Sequence, residues 1–241
     1  MTAVTNGSPL LELTNVSRVY GEQVKVYALR DVSLQIHAGD LLAIVGPSGS
    51  GKSTMLGLLG VLDRPTEGTV EISGVDTGTL DDAARSKLRG ESVGFVFQQF
   101  HLIPHLSALG NVATALLFRG LSRAECRDRA TRALEQVGLA PRADHRPLQL
   151  SGGEQQRVAI ARAIVTEPIM VLADEPSGAL DSQNAGIVME IFASLESRER
   201  AVVLVTHDPR IAATTKRVVS MLDGEIVADE RQVPVPFQGH V

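Results

Sequence analysis

Residues 41–54 read LLAIVGPSGSGKST. Five apolar residues in a row suit a strand buried on both faces of a parallel sheet. Behind the lysine, MLGLLGVL (55–62) resumes the apolar pattern with helical spacing. A strand therefore passes into a helix through a turn of glycines, a proline and serines. Gly46, Gly51, Lys52 and Ser53 fit the phosphate-loop spacing G-x-x-x-x-G-K-[ST]. Glycine reaches backbone angles that side chains forbid, so successive N–H groups can converge on an anion. The N-terminal end of the helix adds partial positive charge. Gly46, Pro47, Ser48, Gly49, Ser50, Gly51, Lys52, Ser53 and Thr54 are accordingly expected to wrap a nucleotide's phosphates. Lys52 would reach the β- and γ-phosphates, and the Ser53 hydroxyl would ligate Mg²⁺.

Upstream, LLELTNVSRVY and VYALRDVSLQI alternate apolar and polar residues, which predicts amphipathic strands of an antiparallel layer. Downstream, EGTVEISG reads as a short strand and SVGFVFQQ (92–99) as a buried one. From there to about residue 150 the pattern turns helical, with ALGNVATALLFRG and SRAECRDRATRALEQVG. EQQRVAIARAIVTE, IMVLADEP, SQNAGIVMEIFASLESRE and AVVLVTHD then alternate helix and strand, and RVVSMLDGEIVAD reads as a hairpin about Asp223-Gly224. Strands alternating with helices predict an α/β fold around a mostly parallel sheet. A helical lobe interrupts it.

IMVLADEP ends a buried strand on Asp174 and Glu175. A carboxylate at the C-terminal end of a strand beside a phosphate loop is placed to support Mg²⁺. A second one, next to it, can orient or deprotonate a water for attack on the γ-phosphorus. A further glycine turn, in LQLSGGEQQRVAIARA (148–163), opens a helix and makes a second anion-binding N-terminus. One chain cannot readily fold both turns around one triphosphate. A head-to-tail pair, each chain presenting Ser151 to Gly153 to the other's nucleotide, solves this economically.

With these motifs the sequence resembles the ATP-binding subunits of ABC transporters, and LSGGEQQRVAIARA is similar to their signature almost letter for letter. The resemblance runs from about Leu10 to Ala228. It implies the P-loop NTPase fold of ABC ATPases, with ATP and Mg²⁺ as cofactors. It further implies an ATP-dependent homodimer and a separate integral membrane permease, which would hold the chain at the cytoplasmic face of the membrane. Residue by residue, it implies that Tyr20 stacks on adenine, with Tyr27 a second candidate. Gln98 would touch Mg²⁺ and the attacking water and sense the permease. Ser151, Gly152, Gly153 and Glu154 would form the signature, and Asp174 and Glu175 the Walker B pair. SGALD (177–181) would be the D-loop, with Asp181 at the dimer seam, and His207 in VLVTHD would contact the γ-phosphate. The catalytic set expected is Glu175, His207, Gln98 and Lys52; Ser53, Gln98 and Asp174 would hold the metal.

VLDRPTEGTVEISGVD and VGFVFQQFHLIPHLSALGNV are similar to the lipoprotein-releasing and macrolide-exporting branch, with cell-division and peptide-export relatives nearby. The chain departs from that group in reading SGALD where TGNLD is usual, and in His101 where asparagine is common. Phe100, Leu102, Ile103 and Leu106 are placed either to line a groove for a permease's cytoplasmic helix or to pack the core of the helical lobe.

Bulk properties narrow the alternatives. A net charge of −5 argues against a chain held on nucleic acid by phosphate contacts. That weighs against the DNA-repair and chromosome-maintenance ATPases, which share these heads but usually insert coiled coils or zinc modules. One cysteine, Cys126, permits no internal disulfide and suits a reducing compartment. MTAVTNGSPL has neither the basic start nor the apolar stretch of a signal peptide, and no run nears the about 20 apolar residues of a membrane span. His37, His101, His105, His145 and His240 are scattered, so no metal site beyond Mg²⁺ is expected. A single ATPase domain is expected over 10–230, its core in 10–98 and 154–230, its helical lobe at about 99–153. Residues 1–9 and 231–241 are expected to be loose.

Overall fold

The structure, a computed structural model, describes residues 7–21, 24–197 and 199–237. In chain order the first elements are β1 (Leu11–Tyr20), β2 (Val26–Ile36), β3 (Leu41–Val45), α1 (Lys52–Leu59), β4 (Glu67–Ile72), β5 (Val75–Asp76), α2 (Asp82–Ser92) and β6 (Val93–Val96). Then follow α3 (Ala108–Ala113), α4 (Arg123–Gln136), α5 (Gly152–Ile164), β7 (Met170–Asp174) and α6 (Ser182–Leu195). The chain closes with β8 (Ala201–Val205), α7 (Pro209–Ala213), β9 (Arg217–Leu222) and β10 (Glu225–Arg231).

Two sheets result. Strands β2-β1-β4-β5 form the antiparallel layer that the alternating text predicts. The second sheet runs β10-β9-β3-β8-β7-β6, parallel from β9 to β6, with β10 antiparallel at one edge. Its inner strands β3, β7 and β8 are apolar through almost their whole length because both faces are covered, whereas the edge strand β10 is polar and mostly exposed. In β8, Val202 and Leu204 enter a core shared with α3, α4, α5 and α6. Ala201, Val203 and Val205 enter the opposite core, with α1 and the antiparallel layer. Arg217 ties the layers together. Its guanidinium donates to Asp40 (3.0 Å), to Asp229 (2.7 and 2.6 Å) and to the Gln35 carbonyl of β2 (2.8 Å).

Asp223 and Gly224 both take positive φ, 50° and 84°, as a two-residue type I′ hairpin requires. Helix α4 starts on a reciprocal cap between Ser122 and Glu125. The strand expected over 92–99 is shorter and ends at Val96, which leaves Gln98 in a loop. Two helices, α2 and α7, are additions to the sequence reading. Helix α2 carries few apolar positions to set a period, although Asp81 caps it by accepting from Ala84 N (2.7 Å).

The expected loose ends lie partly outside the described residues. Within them, 232–237 are docked rather than loose. Gln232 Nε2 donates to the carbonyls of Ala212 (2.7 Å) and Thr215 (2.9 Å), and Val235 N donates to Ala213 O (2.8 Å). Phe237 packs under the Arg210 guanidinium, 5.6 Å from its ring centre.

Candidate active site

Strand order decides which loops meet. With β3, β8, β7 and β6 side by side and parallel, the segments leaving their C-terminal ends stand in a row. These are the phosphate loop, Thr206 and His207, the end of β7 with Glu175, and the Gln98 segment. This is the edge at which open α/β sheets bind ligands. A cavity of about 710 Å³ opens there, lined by residues 48–49 and 51–54 together with Tyr27, Gln98, Asp174, Glu175 and His207.

The phosphate loop is braced from outside. A Cβ on Gly46 (φ 156°) would lie 2.3 Å from Met221 O, and one on Gly51 (φ 100°) 2.5 Å from Ala28 O. Both glycines are therefore required by close backbone approach as well as by φ. Gly224 N donates to Ser50 O (3.1 Å), which joins the β9–β10 hairpin to the loop. Lys52 Nζ arches back to donate to Gly46 O and Pro47 O, each at 2.8 Å. Helix α1 begins at Lys52 behind Gly51 and has no side-chain cap, so its first N–H groups stay available to an anion.

Asp174 is half-buried. Burial and the neighbouring Glu175 charge push its carboxyl above the usual carboxylate range, and Lys52 partly offsets them. Glu175 takes a positive φ of 44°. Its backbone is fixed there by Glu175 N donating to Val205 O (2.9 Å) and by Gly178 N donating to Glu175 O (3.0 Å). Its carboxylate accepts from Thr206 Oγ1 (3.1 Å) and His207 N (3.0 Å), and His207 Nδ1 lies 2.6 Å from Oε1. Gln98 lies against Gly178, where a Cβ would come within 2.8 Å of its Nε2.

The signature residues stand apart from this cavity. Ser151 caps α5: its Oγ accepts from Glu154 N (3.2 Å), and Glu154 Oε2 accepts from Ser151 N (2.8 Å). Glu154 also accepts from Arg142 Nε (3.2 Å). The Ser151 N–H holds the Glu154 carboxyl below its ordinary range, so this side chain is committed to its own helix start. Gly153 and Gly152 differ in what requires them. A Cβ on Gly153 would collide with Asn184 Oδ1 at 2.1 Å, whereas one on Gly152 would meet nothing closer than 3.8 Å. Asp181 caps α6, accepting from Asn184 N (2.8 Å) and Asn184 Nδ2 (2.7 Å). Its carboxyl is lowered first by the Asn184 N–H.

Tyr27 lines the cavity, and Tyr20 lies outside that lining. The Tyr20 hydroxyl donates to Asp63 (2.8 Å), and Arg18 covers one face of the ring at 4.4 Å. Of the expected groove residues, Leu106 lines a separate apolar cavity beside α3, whereas Leu102 packs against the core. The partners that sequence reading missed are Thr206, Asn184 and Arg142. Asn184 had a signal, three residues after a capping Asp181; Thr206 had none beyond its place before His207.

Residues 29–178, more than half of the chain, match the family described as ABC transporter. The chain belongs to the ABC transporter family. It is 51% identical over 220 residues to the macrolide export ATP-binding/permease protein MacB of Salmonella choleraesuis (strain SC-B67), covering 90% of this chain and 34% of that protein. MacB of Hahella chejuensis (strain KCTC 2396) is 46% identical over 223 residues, covering 92% of this chain and 34% of that protein. The chain thus spans about a third of the length of these curated relatives. Among solved structures, the dimeric ATP-binding cassette MJ0796, in a post-hydrolysis state bound to ADP and Pi, superposes with a TM-score of 0.84 at 44% identity. That match covers 93% of this chain and 100% of the other. CbiO1 of Clostridium perfringens, part of the ABC transporter complex cbiONQ, gives 0.84 at 25% identity, covering 93% and 89%. The fold is that of the ABC cassettes. In SGALD (177–181), Leu180 N donates to Ser177 O (3.0 Å). No helix among the described residues is long and apolar enough to cross a membrane.

Proposed function

We propose that this chain is the ATP-binding and ATP-hydrolysing subunit of an ABC transporter of the lipoprotein-release, macrolide or peptide export type, acting as a head-to-tail homodimer on a membrane permease. The observation that carries this reading is the separation of the two glycine turns. The phosphate loop lines a cavity with Glu175 and His207, while Ser151 to Gly153 lie outside it, with Ser151 exposed. A second copy, turned head to tail, brings that helix start to the nucleotide. Asp181 at the head of α6 would then lie at the seam.

Residues 46–54 would bind the triphosphate, with Lys52 exchanging its two carbonyl partners for phosphate oxygens. Tyr27, which lines the cavity, is placed for the base, whereas Tyr20 lies outside the lining and would have to reach the base from there. Ser53, Gln98 and Asp174 all line the cavity and offer oxygen donors, a set suited to a hard cation that keeps its remaining positions for phosphate and water. Mg²⁺ held there would neutralise charge on the β- and γ-phosphates. Glu175 would take up a proton from, or orient, the attacking water. Lys52, His207 and the other copy's Ser151 would stabilise charge as it develops. Gln98 would carry the state of the site to the permease.

The permease contact falls best on α3 and its exit. Leu106, Leu109, Leu116 and Leu121 line an apolar cavity of about 660 Å³, and Phe118 beside it is 98% exposed. An apolar helix of a permease would cover this surface and hold the chain at the cytoplasmic face of the membrane. The names of the macrolide export relatives, which join ATP-binding and permease functions, support that pairing.

The test is Glu175→Gln, which keeps size and removes the base. With ATP and Mg²⁺ this variant is expected to elute as a dimer in size-exclusion chromatography with light scattering, and as a monomer with ADP. A monomer at saturating ATP would sink the reading.

A further inference from the structure

We propose that Thr206 is a positioning residue for the reaction, holding the Glu175 carboxylate toward the phosphates through its hydroxyl. The inference rests on the ATPase reading above.

Glu175 is held at its base by its own backbone, but its side chain needs separate anchors. Three donors reach the carboxylate, all from the end of β8: Thr206 Oγ1 on Oε2, and the His207 N–H and ring on Oε1. They are not equivalent. The His207 side chain is 75% exposed and is free to swing to another acceptor. Thr206 is 1% exposed and is fixed from both sides. Its N–H donates to Ile44 O of β3 (3.1 Å), and its hydroxyl oxygen accepts from Asp208 N (3.0 Å). An ionised carboxylate only accepts, so the hydroxyl proton is committed to Glu175.

The direction of this hold matters. In the conformation that Thr206 fixes, Glu175 faces the same cavity as Lys52, Ser53 and Asp174. When the imidazole leaves for the γ-phosphate, Oε1 keeps only the His207 N–H, and Thr206 becomes the side-chain donor that remains. The same hydroxyl also links the carboxylate to Asp208, which caps α7 and pairs with Arg210. Orientation of a general base within a fraction of an ångström is worth large factors in rate, and it acts on turnover rather than on binding.

Thr206→Val is isosteric and removes only the hydroxyl; Thr206→Ser restores it. In steady-state ATPase assays of the full chain with Mg²⁺, Thr206→Val is expected to lower kcat about 10-fold with KM within about twofold. Thr206→Ser should stay within about threefold of the unmodified chain. In the Glu175→Gln background the valine change should cost less than about twofold, because the group that it positions has gone. An unchanged or raised kcat in Thr206→Val overturns the proposal. So does an equal loss in both backgrounds, or a loss that Thr206→Ser does not rescue. Thermal unfolding is followed in parallel, and Thr206→Ala takes the place of the valine variant if that one does not fold. An unmodified chain without ATP turnover would sink the ATPase reading itself, a result distinct from any of these.

Discussion

Asp174 and Glu175 are adjacent acids at one strand end, yet their surroundings differ. Glu175 has three donors, whereas Asp174 is half-buried beside another negative charge. A carboxyl raised by burial and like charge favours its neutral form in the fold. Its contribution to stability is present below the unfolded pKa of 3.8 and is lost as pH rises through the higher folded value. At neutral pH the ionised Asp174 therefore costs stability. Asp174→Asn should raise Tm at pH 7, with the gain fading to nothing below about pH 4, while abolishing ATP turnover. Differential scanning calorimetry across pH, beside an activity assay, checks both halves. Both acids were legible in the sequence, because an apolar run ending on two carboxylates has few other uses. Their difference was not legible, since it depends on Thr206 and His207 arriving from a strand about 30 residues away.

Helix α5 shows how much one element can hide in a motif. Its text reads as an anion-binding start, and the cap at Ser151 with Glu154 follows from the S-x-x-E spacing. What could not be read is that its two glycines answer to different neighbours. Gly153→Ala should displace Asn184 and the α6 start, lowering Tm with or without nucleotide. Gly152→Ala should leave Tm of the isolated chain within about 1–2 °C, consistent with a surface change of under about 0.5 kcal/mol. It should nevertheless weaken the ATP-induced dimer of Glu175→Gln. Calorimetry and light scattering on both variants separate the two roles. The long periodic elements were legible for a simple reason: α1, α5, β3, β7 and β8 carry continuous or periodic apolar text. Helix α2 lacked that text, and the docking of 232–237 depends on backbone carbonyls of α7 that no local pattern announces.

Across the molecule, the antiparallel layer and the parallel sheet are joined by a charge cluster as well as by apolar packing. Arg217 and Asp40 are both buried, and Arg217 also bonds Gln35 and Asp229. Arg217→Met would leave Asp40 with the His37 N–H (3.0 Å) and, as its one cationic partner among the described residues, the exposed Arg231 at 3.7 Å. Removing one partner of a buried pair typically costs about 3–5 kcal/mol. Urea unfolding of Arg217→Met should show a loss of that order, partly recovered when Asp40→Asn is added. This cluster spans residues 35 to 229, and the distance in sequence is why it could not be foreseen.

The braces on the phosphate loop carry one more consequence, a genetic one. Gly46 and Gly51 press against carbonyl oxygens of Met221 and Ala28, groups that every residue supplies. Replacing the side chain at position 28 or 221 leaves that oxygen where it was. A selection for intragenic suppressors of Gly46→Ala should therefore draw no revertants from position 221. The closest part of the brace is thus inherited with the backbone of the sheet and not with the side chains at positions 28 and 221.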